Sequence, residues 1–185
     1  GRLAEVPKKL AETEVDTGRG SIEVLGEGIL PDQAFANLDN NVFIALDLGK
    51  NIHPFGNEPK IDHCLYLSSQ ETFSQQGVQV EIDFNVSDPT VVPAPRASDD
   101  MILSWEYFDG KKWRILGKTT PRGKAPAGWE QSTLGFIDGT NAFTKSGTVK
   151  FLRPPDLAAG EVTGEPNFWV RVRIELGDYG IPGAY

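Results

Sequence analysis

The chain has 185 residues, 39% of them hydrophobic and 24% charged, which excludes disorder throughout and suffices to bury roughly 70% of the unfolded surface. Eighteen basic against 26 acidic residues give a net charge of −8, which argues against a protein whose main work is holding nucleic acid, because phosphate neutralisation supplies most of that affinity. Cys64 is the single cysteine, so no internal disulfide can form, and no apolar run approaches the ~20 residues of a membrane-spanning helix.

The opening Gly1, in place of Met, is compatible with a fragment of a longer chain. Residues 1–38 read as an arm or linker, extended or partly helical: Leu3, Val6 and Leu10 could line one short helical face, Pro7 interrupts them, and Gly18-Arg19-Gly20 ends the segment. Residues 39–185 read as one β-domain. Val42 to Leu48 (VFIALDL) is its first strand, apolar on both faces and so expected to be buried between layers or against the hairpin. HPFGNEP, His53 to Pro59, is a turn-rich break, and Cys64 to Leu67 (CLYL) is a short apolar strand. Val78 to Val86 alternates cleanly, with Val78, Val80, Ile82, Phe84 and Val86 inward and Gln79, Glu81, Asp83 and Asn85 toward water. The Pro-bearing stretch from Asp88 to Asp100 is a loop.

Met101 to Trp113, MILSWEYFDGKKW, is the hairpin around which the domain should be organised. Leu103, Trp105 and Tyr107 form its buried face, Ser104 and Glu106 its polar one, and Asp109-Gly110 supplies the two central residues of a type I′ turn. The return strand runs to about Leu116, and Gly117 to Gly128 is an aperiodic insertion expected to be mobile. Asp138-Gly139-Thr140 makes a further turn, Ala142 and Phe143 a single helical turn, and Val149 to Leu152 a strand ended by Pro154-Pro155. The last strand, Phe168 to Leu176, sets Phe168, Val170, Val172, Ile174 and Leu176 against Trp169, Arg171, Arg173 and Glu175. Many short strands without a useful helix predict an all-β, antiparallel β-sandwich of the jelly-roll or Ig-like kind.

Catalytic chemistry finds little footing in these residues. His53, His63 and Cys64 lack the paired spacing of a zinc site, and Asp99, Asp100 and Asp138 suit turn chemistry better than calcium. Two histidines without GxSxG give no nucleophile triad, and GRGSIEVLGEG matches neither nucleotide-binding fingerprint. We expect no enzyme, no cofactor and no metal. Lys111, Lys112, Arg114, Lys118, Arg122 and Lys124 read as a solvated hairpin tip. The candidate interaction surface is Trp113, Trp129, Trp169, Arg171 and Arg173. Arg171 and Arg173 either lie free in solvent or are held by carboxylates and carbonyls, and the use of Arg on a strand face favours the second.

The order of motifs is itself informative. HPFGNEP followed by DHCLYLSS, a strand, WEYFDGKKW, FIDGTNAFTKSGTVKF and FWVRVRIELGDYGIP resembles the baseplate assembly proteins of contractile phage tails and phage-tail-like injection systems, over about Phe43 to Pro182. The resemblance rests on Phe55, Trp105, Tyr107, Trp113, Asp138, Phe143, Trp169, Arg171 and Arg173 among others. It implies a structural, wedge-type component assembled in the cytoplasm as part of a tail-like particle, with other baseplate or tail proteins as partners and neither nucleic acid nor membrane insertion involved. The alternative is a carbohydrate-binding β-sandwich module that stacks a glycan on Trp113, Trp129 and Trp169.

Overall fold

Alternation at period two fixes which side of each strand faces the core, and two sheets close over the apolar sides. A computed structural model describes residues 8–15, 24–25, 29–50, 52–86, 97–129 and 134–180. Its strands in chain order are β1 (Lys8–Val15), β2 (Val24–Leu25), β3 (Gln33–Asn37), β4 (Phe43–Ala45), β5 (Cys64–Ser68), β6 (Gln79–Val86), β7 (Ile102–Phe108), β8 (Trp113–Thr119), β9 (Ile137–Asp138), β10 (Gly147–Leu152), β11 (Ala159–Val162) and β12 (Glu165–Leu176). One four-residue helix, α1 (Gln70–Phe73), is capped by the Ser69 hydroxyl, which accepts from the Thr72 amide at 3.1 Å. The protein is an all-β sandwich: a five-stranded sheet ordered β2-β1-β6-β10-β9 faces a seven-stranded sheet ordered β4-β3-β5-β12-β7-β8, with β11 paired to β12. No helix among the described residues is long and apolar enough to cross a membrane.

Between the sheets lie Val80, Ile82 and Phe84 of β6 and Val149 and Phe151 of β10, facing Leu65 and Leu67 of β5, Leu103 and Trp105 of β7, and Val170, Val172 and Ile174 of β12. The aromatic centre of this core joins four of the motifs. Phe143 sits 5.0 Å from Phe84, 6.0 Å from Phe55 and 6.2 Å from Trp105, and Tyr179 stacks on Phe55 at 6.0 Å, all between ring centroids.

Several expectations are corrected. The boundary at residue 38 falls inside the domain, because β3 lies between β4 and β5 with Ala34 and Ala36 buried. The arm also contributes β1, a strand rather than a partial helix, which runs parallel to β6 with Lys8 opposite Val80 and Val15 opposite Val86; every other strand pair is antiparallel. Leu3, Val6, Pro7 and residues 18–20 lie outside the described residues, as does most of the loop after Val86. The strand expected from Val42 to Leu48 shrinks to three residues at the sheet edge, with Val42 and Ile44 exposed instead of buried between layers.

Asp109-Gly110 does not form a two-residue turn. Phe108 pairs with Trp113, leaving a four-residue loop in which the Asp109 carboxylate accepts from the amides of Lys111 and Lys112, both at 2.8 Å, and only Gly110 has positive φ. Two successive positive φ angles occur instead at Thr163 (52°) and Gly164 (79°), between β11 and β12, a hairpin absent from the expectations. The return strand continues to Thr119 through a bulge that turns Leu116 into the core, so Gly117 to Thr119 belong to the sheet and not to the insertion. The helical turn at Ala142 and Phe143 is left-handed: Asn141, Ala142 and Phe143 have φ of 48°, 57° and 59°. Each costs ~1–2 kcal/mol for an L-residue, offset here by the buried Asp138 carboxylate, which accepts from the amides of Thr140 and Ala142, and by Tyr179, whose hydroxyl donates to the Ala142 carbonyl at 2.7 Å.

Candidate interaction face

The outward row of β12 is Trp169, Arg171, Arg173 and Glu175, and its neighbours in register decide what those side chains meet. Arg171 lies opposite Tyr66 of β5 and Glu106 of β7; Arg173 lies opposite Cys64 and Ser104. Long side chains on adjacent strands of one face are within reach of one another, so a network forms. The Arg171 Nε donates to Glu106 Oε1 at 2.7 Å and its Nη1 to the Tyr66 hydroxyl at 3.1 Å. Arg173 donates to Glu106 Oε2 at 3.4 Å and to Asp62 Oδ1 at 3.0 Å, and the Ser104 hydroxyl donates to Glu106 Oε2 at 3.0 Å. Glu106 therefore holds two guanidiniums and a hydroxyl with a side chain only 7% exposed. Ser104 and Glu106, expected on a wet face, are buried because this network covers them.

Aromatic side chains surround the arginines. The Arg171 guanidinium carbon is 4.2 Å from the Trp113 ring centroid and 5.7 Å from that of Tyr66. Trp113 meets Tyr66 edge-on at 5.5 Å and Phe108 at 5.4 Å, and Trp169 packs at 5.8 Å from Phe35. Phe43 of β4 reaches Tyr66 at 5.4 Å. Trp169 is fully buried, held by donation from Nε1 to the Gly160 carbonyl at 3.1 Å, in a second apolar cluster with Cys64, Tyr66 and Val162. Gly160 is required there, since a Cβ would lie 2.4 Å from the Phe108 ring.

The structure thus brings together four of the five expected surface residues, Trp113, Trp169, Arg171 and Arg173, as one packed unit. Trp129 stands apart, linked to the row among the described residues through Lys118, whose ammonium is 4.4 Å from the Trp129 ring and donates to Glu175 at 2.8 Å. Three indoles side by side, as a stacked glycan requires, do not occur: Trp169 is covered, and Arg171 lies against Trp113. Lys111, Lys112, Arg122 and Lys124 are exposed, whereas Arg114 pairs with Asp109 and Asp156. Glu106 and Tyr66, central here, are absent from the interaction surface expected from sequence; the available signal is a Glu and two Arg on strands that both carry period-two apolar rows.

His63, Cys64, Asp100 and Asp138 are engaged structurally. Both ring nitrogens of His63 are taken, Nδ1 at 2.8 Å from the Phe55 carbonyl and Nε2 at 2.8 Å from Asp39. Burial pushes the Cys64 thiol up to about 11, which leaves little thiolate for nucleophilic or metal chemistry near neutral pH. Asp100 accepts from Ser98, and burial raises the Asp138 carboxyl against the hydrogen bonds of its own turn. Comparison with family models, with curated proteins and with solved structures finds no match to this chain.

Proposed function

We propose that this chain is a structural, non-catalytic interaction module of the baseplate of a contractile phage tail or phage-tail-like injection system, assembled in the cytoplasm and contacting other baseplate or tail proteins. One observation supports the proposal beyond the motif resemblance: the outer face of the seven-stranded sheet carries aromatic side chains around a pair of held arginines. The outer row of β6, Gln79, Glu81, Asp83 and Asn85, is polar throughout and carries no aromatic ring, with Asp83 buried and accepting from the Thr148 hydroxyl. The outer face around β12 instead carries the partly buried Phe35, Phe43 and Trp113 and the buried Tyr66 around an arginine pair whose charge Glu106 and Asp62 balance. Aromatic side chains with fixed, internally neutralised arginines are what the centres of protein interfaces are enriched in, because little side-chain entropy is left to lose on docking. Arg171 and Arg173 are fixed before any partner arrives, which suits a permanent joint in a large particle.

The test is particle incorporation. A tagged chain is expressed in cells that make such particles, and the particles are isolated by sedimentation. Co-sedimentation of the tag with sheath and tube proteins, reduced by Trp113→Ser, is the expected result. A tag that stays in the unsedimented fraction while intact particles form would overturn the proposal. A glycan screen gives the competing outcome: specific binding abolished by Trp129→Ala would assign the domain to carbohydrate recognition.

A further inference from the structure

The β11–β12 hairpin rises beside the aromatic face and closes one side of a cleft of about 190 Å³. Trp169 lies at its base, Tyr66, Phe108, Trp113 and Phe43 wall it, and Glu161 stands on the hairpin rim. At about 30 Å³ per water the space would hold several waters, and it equally admits an alkylammonium or guanidinium head. We propose that this cleft is a binding site for an organic cation, namely the side-chain head of a lysine or arginine presented by a partner protein. The site stands on its own geometry and does not depend on the baseplate assignment.

Three features select a cation over a neutral apolar group. Aromatic side chains dominate the lining, with Phe43, Phe108 and Trp113 only partly buried, and such rings attract ammonium and guanidinium ions once they shed water. The chain already satisfies these rings with a guanidinium of its own, since Arg171 rests against Trp113 and Tyr66. The charge of Arg171 is cancelled by Glu106 at 2.7 Å, so it does not repel a second cation, whereas Glu161 on the rim is exposed and pairs with no cation among the described residues. Glu161 therefore gives the cleft rim a carboxylate with no cation paired to it among the described residues, on a chain of net charge −8, and a basic side chain is the complement.

The four indole N–H resonances report the site directly, with those of Trp113 and Trp169 assigned from single Trp→Phe variants. The probes are Nα-acetyl-arginine amide, Nα-acetyl-lysine amide, choline, and 3,3-dimethyl-1-butanol, which has the shape of choline without the charge. Saturable shifts of the Trp113 and Trp169 signals are expected with the two amides, weaker ones with choline, and none with the alcohol. Glu161→Gln should raise the dissociation constants for the amides at least threefold, and because Glu161 is exposed its loss should leave the fold intact, checked by unchanged melting. Equal binding of choline and the neutral alcohol would overturn cation selection. Choline binding tighter than either amide would overturn the side-chain assignment, and the absence of any saturable shift would overturn the site.

Discussion

Removal of one partner from the Arg171–Glu106–Arg173 unit tests whether the outer face is a fixed structure or a solvated surface. Arg171 has a side chain 19% exposed, donates to Glu106 at 2.7 Å and to Tyr66 at 3.1 Å, and lies on Trp113. Its truncation to Ala leaves the 7%-exposed Glu106 carboxylate with only Arg173, at 3.4 Å, as an ionic partner. Breaking a buried pair costs about 3–5 kcal/mol when the remaining charge is left alone. The surviving Arg173 contact lowers that, and Arg171→Ala is expected to destabilise by about 2–3 kcal/mol. Arg173→Ala should cost only about 1 kcal/mol, because its shorter bond goes to Asp62, whose side chain is 75% exposed. Urea titration of Glu106→Ala, Arg171→Ala and the double variant completes a thermodynamic cycle, with an expected coupling above about 1 kcal/mol. A coupling under about 0.5 kcal/mol, or Arg173→Ala costing more than Arg171→Ala, would refute this account of the face.

Three further outcomes are expected. Trp105→Ala should cost about 3–5 kcal/mol, since the indole is fully buried against Phe84 and Phe143. Trp105→Phe should cost much less, because the buried Nε1 has no hydrogen-bond partner among the described residues, and thermal melting of the two variants would expose a wrong assignment if they fell equally. Arg153 is a buried guanidinium whose nitrogens donate to the carbonyls of Phe73, Pro154 and Leu157 at 2.8–2.9 Å, so Arg153→Lys, which cannot fan out to all three, should lose about 2 kcal/mol or more in denaturant titration; a near-neutral result would contradict the clamp. The Lys112 amide, the Arg114 guanidinium and the Lys111 amide hold the Asp109 carboxyl down to about 2, below its ordinary 3.8. Because the folded value is depressed, the stabilisation is present above about pH 4 and fades as pH falls toward 2. The melting temperature of Asp109→Asn should fall less steeply than that of the parent over this range, and parallel curves would remove Asp109 from the acid response.

What was legible in the sequence tracks where one face alone is buried. Val80, Ile82 and Phe84 alternate with polar residues, and β6 turns those three inward as expected, whereas Asp83, expected toward water, is buried and accepts from the Thr148 hydroxyl. Trp105, Val170 and Val172 fell into the core for the same reason. The reading failed where burial and period part company. In Val42 to Leu48 the apolar letters suggested an inner strand, yet the segment lies at the edge, where hydrophobicity does not report depth. β1 was hidden because its alternation is weak and its partner, β6, is about 70 residues away in sequence. Asp-Gly signalled a turn but not its length, since the Asp109 side chain can accept backbone amides and so stabilise a longer loop. Thr-Gly, a weaker signal, carries the two-residue turn at residues 163–164, and with it the cleft. Trp169 was taken for a surface residue because period two separates faces without saying that the second is also covered.

That second face gives the motifs their sense. In each strand motif alternate residues go opposite ways: Leu65, Trp105 and Val172 turn inward, while Tyr66, Glu106 and Arg171 turn outward. The inward set is what any sandwich needs to exclude water. The outward set is not, because Gln79, Glu81, Asp83 and Asn85 serve β6 with no aromatic ring and no held guanidinium. Desolvating Glu106 and fixing two arginines costs free energy that an apolar replacement of similar volume would often not incur. A network with that cost is best accounted for by what it fixes, namely the orientation of Trp113 and Tyr66 at the edge of the cleft. Replacing Glu106 and Arg171 together with Met and Leu should therefore leave global stability close to that of the parent while shifting the indole N–H signal of Trp113 and weakening whatever binds there. Retained binding in a stable Glu106→Met/Arg171→Leu variant would mean that the network serves the fold alone.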